Sequence, residues 1–246
     1  MSNAFSDYLN IIHTKLNMLE SNTGILDKVA NVCANVVANR NNLFVFGASH
    51  AGIITEELIY RAGGLAVFNP IFHASLMVNV VPVTLTSDLE QVPELGEKII
   101  YSSELQKDDV LLIHSVSGRN PVVIDAALAA KARGSTVIAL TSVDTSTKVS
   151  SKHQSGQLLV EIADYVIDNL CDYGDACVSL NGLTQKAAPL STILGATIVN
   201  AISLMISEKL IEKGITPPVL ASANVDGNAD LNQAIFSEYK SNIHYL

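Results

Sequence analysis

The sequence contains no tryptophan, and aromatic residues make up only 5% of its 246 positions. A nucleic-acid face built from stacked aromatic rings is therefore not expected. Charge is sparse at 16%, and the basic side is the smaller, with 15 Lys and Arg against 24 Asp and Glu and a net charge of -9. A phosphate backbone calls for a basic stripe, which excludes nucleic acid as the main partner. Three cysteines occur, Cys33, Cys171 and Cys177. The odd count, without close metal-ligand spacing, fits reduced thiols and gives no metal site. No basic-then-apolar leader opens the chain. Residues 187–206 are apolar, but Ser191, Thr192, Asn200 and Ser203 interrupt them. They read as a buried core helix and not as a membrane span, and the expected compartment is the cytoplasm. Also missing are the G-x-G-x-x-G dinucleotide spacing, the Walker A motif, the G-x-S-x-G elbow and H-E-x-x-H.

What is present is a 48% hydrophobic composition, enough to fill the core of one large α/β domain. With so little charge, part of the surface is expected to be covered by a second subunit. Helical spacing runs through residues 4–20 and 25–39, ahead of the first strand. Continuous apolar strands follow at 43–46, 65–68, 110–114, 136–140 and 165–167, the pattern of strands covered on both faces. Helices are expected at 53–61, 94–101, 121–133, 189–212 and 230–241. Residues 71–92 have no clear period and read as a loop-helix region, and residues 158–163 read as a short turn or strand. Strand–helix alternation of this kind gives a parallel sheet with helices on both faces, with ligands at the C-terminal strand ends. The division expected is N-terminal helices 4–40, a sheet core 43–170, and C-terminal helices and tail 187–246, all in a single domain.

Two loops leave strand ends with the same chemistry: Gly47-Ala48-Ser49-His50 and Ser115-Val116-Ser117-Gly118-Arg119-Asn120. Glycine permits positive φ or close backbone approach, and serine offers a hydroxyl to an anion. Pro121 then opens a helix, whose first amides and dipole favour negative charge. Each loop alone is equally well a tight strand-to-helix turn. Two in one sheet shift the reading toward an anionic ligand, most naturally a phosphate.

These loops resemble the sugar isomerase (SIS) domain. The stretches 56–65, 117–120, 137–142 and 222–227 are similar, more specifically, to the single-SIS bacterial proteins grouped as UPF0309. The resemblance implies a three-layer α-β-α sandwich with a five-stranded parallel, flavodoxin-like sheet, extended here by the N-terminal helices. It implies a homodimer or higher homo-oligomer and a phosphorylated sugar or amino sugar as ligand, with no cofactor. By position, Ser49, Ser115, Ser117, Gly118 and Asn120 fall where the family binds phosphate, and Ser191 and Thr192 where it closes the pocket. Asn120 stands in place of the usual Thr or Ser. Arg119 has two readings, a phosphate partner or a solvent-facing cation.

Catalytic candidates follow from the chemistry. Isomerisation between aldose and ketose, or elimination of an ether, needs a proton-transfer group beside the sugar carbons. Glu56 and Glu57 lie in the helix after the first loop, where at most one can face a cleft. His50, His114 and His153 are the histidines near the loops, each equally readable as structural. The Gly-Pro-Glu segment of the isomerase members is absent, and Cys171 to Asp175 occupies that region. Two functions fit: an enzyme of sugar-phosphate or amino-sugar-phosphate metabolism, or a non-catalytic phosphosugar sensor.

Overall fold

The computed structural model describes residues 4–21 and 23–246. Asn22, in the expected break between the first two helices, lies outside the described residues. In chain order the elements are α1 (Ala4–Glu20), α2 (Gly24–Ala38), β1 (Leu43–Gly47), α3 (Ile53–Leu58), β2 (Phe68–Pro70), α4 (Leu85–Leu89) and α5 (Leu95–Tyr101). There follow β3 (Val110–His114), α6 (Pro121–Ala132), β4 (Thr136–Thr141), α7 (Val143–Ser146), α8 (Leu159–Ile162) and β5 (Tyr165–Asp168). The chain closes with β6 (Ala176–Val178), β7 (Ala187–Pro189), α9 (Ser191–Glu212) and α10 (Asn228–Glu238).

The first five strands form one parallel sheet in the order β2-β1-β3-β4-β5. Successive side chains of a strand point to opposite faces, and the sheet divides its residues accordingly. Leu43, Val45, Val110, Leu112, Ile138 and Leu140 pack with α2, α3 and α9. Phe44, Phe46, Leu111, Ile113, Val137 and Ala139 pack with α5, α6 and α8. Covered on both sides, β1, β3 and β4 are apolar along their length, with polar residues such as His114 and Thr141 only at their ends, which explains the continuous apolar runs. Helix α1 packs elsewhere, setting Ile12 against Cys171, Cys177 and Leu194.

Helix α9 carries apolar residues on its exposed side as well as its buried one, and it is the one helix among the described residues long and apolar enough to cross a membrane. Its Leu194, Ile198, Ile202, Ile206 and Leu210 are buried in the core, while Leu204 on the opposite side is 64% exposed.

Two expectations shift. The strand expected at 65–68 forms at Phe68–Pro70 instead. Residues 63–66 are engaged by the tail: the Gly63 and Ala66 N–H groups donate to Leu220 and Pro218 carbonyls, both at 2.8 Å. Residues 158–163, read as turn or strand, form the short helix α8. The β6–β7 hairpin, antiparallel through Ala176–Pro189 and Val178–Ala187, has too few residues per strand to leave a period in the sequence.

Candidate functional site

In a sheet of this order the chain winds outward in both directions from the β1–β3 pair, and the crevice between their C-terminal ends is the expected ligand position. The register brings the two ends level, Gly47 beside His114. A cleft of about 370 Å³ opens there, lined by Ser49, His50, Glu90, Ser115, Ser117 and Arg119 among others.

The first loop folds back tightly. A Cβ on Gly47 would lie 2.6 Å from the Ala51 carbonyl oxygen and 2.9 Å from the Gly52 nitrogen, so only glycine fits. Ser49 follows with φ 55°, a left-handed conformation uncommon outside glycine and a form of strain that collects at ligand sites. Its hydroxyl lies 3.4 Å from Thr86 Oγ1.

The second loop turns at Gly118, whose φ is 56°. The Gly118 N–H donates to Ser115 Oγ at 3.2 Å, which curls the loop so that residues 115–118 wrap the entrance to the twelve-residue helix α6. Ser115 is 8% exposed; Ser117 is half-buried. Arg119 lines the cleft. Its Nε is buried without a hydrogen-bond partner among the described residues. The serine hydroxyls and the guanidinium, at the positive end of α6, together make an anion cradle. The first amides of α6 do not join it, since Pro121 has none and the Val122 N–H donates to the Glu90 carbonyl at 3.2 Å.

A carboxylate faces this cradle. Glu90 is half-buried at the end of α4, and Asn120 Nδ2 donates to its Oε2 at 2.5 Å. Burial pushes the Glu90 carboxyl above its ordinary range, against the opposing pull of the Asn120 bond and the Lys152 charge.

The family model described as SIS domain matches residues 7–142. A UPF0309 protein of Oceanobacillus iheyensis is 48% identical over 97% of each chain, and one of Shouchella clausii is 50% identical over 90% of each. The chain belongs to the SIS-domain family, in its UPF0309 group. The fold agrees with solved structures at low identity. A phosphoheptose isomerase of Francisella tularensis superposes with a TM-score of 0.53 at 15% identity, over 85% of this chain and 100% of its own. One of Neisseria gonorrhoeae gives 0.52 at 16%, over 85% and 97%.

Within this SIS domain the expected site residues separate. Ser49, His50, Ser115 and Ser117 line the cleft. Gly118 sits behind them, where a Cβ would lie 3.1 Å from that of Leu159. Asn120 is the N-cap of α6, and its amide is spent on Glu90. Glu56 and Glu57 do not line the cleft: Glu56 is exposed, and Glu57 pairs with Arg61 and accepts from Asn200 Nδ2 at 2.7 Å. The helix α3 that carries them turns that face toward α9. Ser191 is committed to Asp175, donating from Oγ to Oδ2 at 2.7 Å. Thr192, half-buried one residue further on, does not line the cleft either. His153 is bonded at both ring nitrogens, to Asp125 and Ser155. Asp172 pairs with Lys15.

His114 is fully interior. Its Nδ1 meets the Ala51 carbonyl at 3.0 Å, and Nε2 is buried without a partner among the described residues. Desolvation holds its imidazole below the usual histidine value, with the Ala51 contact opposing. Among the described residues no group of three or more His, Cys, Asp and Glu could hold a metal ion.

Glu90 is the residue that sequence reasoning missed. It lies in the stretch 71–92, where no period gave the elements. The available signal was a lone glutamate just before the Pro93 break, and it carried no indication of which way the chain would fold.

Proposed function

We propose that the chain binds a phosphorylated sugar in the β1–β3 cleft and acts on it as an isomerase or lyase, with Glu90 as the proton-transfer group. The phosphate takes the Ser115–Gly118 loop and the Arg119 guanidinium, at the positive end of α6. The sugar then extends toward Ser49, His50 and Glu90. The observation that carries the enzymatic part is a half-buried carboxyl, made more basic by burial, in the same cleft as the anion cradle. A carboxyl poised in this way can take a proton from the carbon beside a carbonyl and return it to the neighbouring carbon, or take it in an elimination. The low-identity phosphoheptose isomerases share the fold and support the ligand class by analogy only. The same reading includes a homodimer, which would cover exposed apolar side chains such as Leu204 and Ile211 of α9.

The test is a thermal-shift screen over hexose, amino-sugar, muramic and heptose phosphates, followed by NMR of each binder for conversion. Ser115→Ala with Ser117→Ala should abolish the stabilisation by the binder. Glu90→Gln should keep binding and lose conversion by a factor of about 10² or more. Binding without conversion by the unmodified protein would replace the enzyme with a phosphosugar sensor. No stabilisation by any phosphate would refute the ligand.

A further inference from the structure

The stretch between α7 and α8, residues 147–158, has no helix or strand of its own. Its side chains are polar apart from Val149 and Leu158. A segment with so little apolar side chain to bury is held in place mainly by its hydrogen bonds. Two backbone bonds tie this stretch to the phosphate loop. The Lys152 N–H donates to the Arg119 carbonyl at 3.0 Å, and just past the far end the Leu159 N–H donates to the Gly118 carbonyl at 2.9 Å. The Val116 carbonyl is taken in the same way by the Ser142 N–H at 3.1 Å. Carbonyl oxygens are the negative ends of peptide dipoles and repel an anion, so occupying them favours the cradle.

One buried pair fastens the stretch to α6. His153 Nε2 lies 3.0 Å from Asp125 Oδ1, with side chains only 6% and 8% exposed. The Ser155 N–H donates to His153 Nδ1 at 3.1 Å. Nδ1 is therefore the acceptor, and Nε2 carries the proton given to Asp125. The pair is a poor source of stability, because Asp125 Oδ2 is buried with no partner among the described residues. Neither residue lines the cleft. What the pair does is fix a position: Lys152, next to His153, holds the carbonyl of Arg119. Arg119 does line the cleft, and its Nε is buried with no partner among the described residues.

We propose that residues 147–158 form a strap that positions the Arg119 guanidinium for the ligand's anionic group, and that His153 and Asp125 are positioning residues, the latch between the strap and α6. Only the ligand half of this assignment rests on the phosphosugar reading. Each link is a contact already described: Asp125 to His153, the neighbouring Lys152 backbone to the Arg119 carbonyl, and Arg119 to the cleft.

The experiment follows hydrogen exchange of the Arg119 Nε–H and of the Lys152 and Leu159 amides by nitrogen-15 NMR, together with calorimetric binding of inorganic phosphate, in His153→Leu and His153→Gln. His153→Leu removes the donor to Asp125. It should speed exchange at all three N–H groups about tenfold or more while the amides of α9 keep their rates, and it should weaken phosphate about tenfold. Glutamine offers an amide N–H near the place of the imidazole Nε2, so His153→Gln should restore both. If His153→Leu does not fold, Asp125→Leu, which leaves no carboxylate buried and unpaired, makes the same comparison. Unmoved exchange at Arg119 and Lys152 in the folded variant overturns the strap. Equal acceleration in α9 would be a general loss of stability and overturns the positioning role. Faster local exchange with unchanged phosphate affinity overturns the link from the strap to the ligand. If the unmodified protein binds no phosphate, the ligand reading fails on its own, while the exchange rates still decide the latch.

Discussion

Gly96→Ala sets two physical effects of opposite sign against each other at a position that controls the cleft from behind. Gly96 is buried in α5 and faces the first turns of α6. A Cβ there would be driven into the Val122 carbonyl, with its carbon at 2.8 Å and the Ala126 nitrogen at 2.9 Å. Both obstacles are backbone, so no side chain can rotate out of the way. Relieving the contact with the Val122 carbonyl oxygen requires the two helices to part by about 1 Å or more, which forfeits a good part of their dispersion contact. Overpacking of this kind costs about 1–3 kcal/mol. Helix propensity works in the other direction, since alanine is favoured over glycine by about 1 kcal/mol. Backbone against backbone sits at the expensive end of the range, so the net effect is a loss of about 1–2 kcal/mol. For a chain of this size each kcal/mol moves the melting temperature by about 2–4 °C. Scanning calorimetry should therefore show a drop of several degrees. Phosphate affinity should fall with it, because Val122 lies in the turn of α6 that adjoins Asn120. A melting temperature equal to or above that of the unmodified protein would mean that propensity wins, and that the α5–α6 approach is not as close as described.

Burial keeps His114 neutral in the fold, whereas the unfolded chain takes up a proton near pH 6.5. Below that pH the unfolded state holds more protons, so stability falls on acidification, by up to about 1.4 kcal/mol per pH unit until the folded imidazole itself titrates. Urea unfolding at pH 7.5 and 5.5 should show this slope, and His114→Asn should flatten it. Glu90, whose carboxyl is raised, contributes with the opposite sign above about pH 4.5; running both measurements in a Glu90→Gln background removes it. An unchanged slope in His114→Asn would refute the assignment. Asp175 accepts from the Leu190 and Ser191 N–H groups at 3.0 and 2.8 Å and so caps α9. Asp175→Ala should cost about 1–2 kcal/mol in denaturant unfolding, and a variant as stable as the parent would remove that role.

The sheet was readable from the chain because its strands are buried on both faces and therefore uniformly apolar; β1, β3, β4 and β5 lie within a residue or so of their expected bounds. Helix α2 was readable because its apolar positions repeat over several turns, and α6 and α9 because they are long apolar runs. Elements of three to five residues, such as α4, α7, α8 and the β6–β7 hairpin, are too short to show a period. β2 shifted because the C-terminal tail, distant in sequence, competes for residues 63–66. The serine loops were legible because their glycines and hydroxyls are consecutive. Glu90 was not, because its place in the cleft is set by long-range bonds at the entrance to α6, from Asn120 Nδ2 to its carboxyl and from the Val122 N–H to its carbonyl. Glu57 illustrates the reverse error: proximity in sequence to the first loop suggested the cleft, but the rotation of α3 gives it to Arg61 and Asn200.

The cleft draws its groups from well-separated stretches of the chain: Ser49 after β1, Glu90 after α4, Arg119 after β3, Asp175 before β6. No one of these stretches can recognise a ligand by itself, and bringing them together requires closing several long loops. A growing or partly folded chain is therefore blind to the ligand until the sheet is complete through β5 and the segment beyond it. Binding then acts on the native state alone, adding about 2.7 kcal/mol at a ligand concentration one hundred times Kd. In a cell, the lifetime of this protein against proteases would follow the concentration of its own ligand, so that abundance as well as occupancy would report how much of that ligand is present.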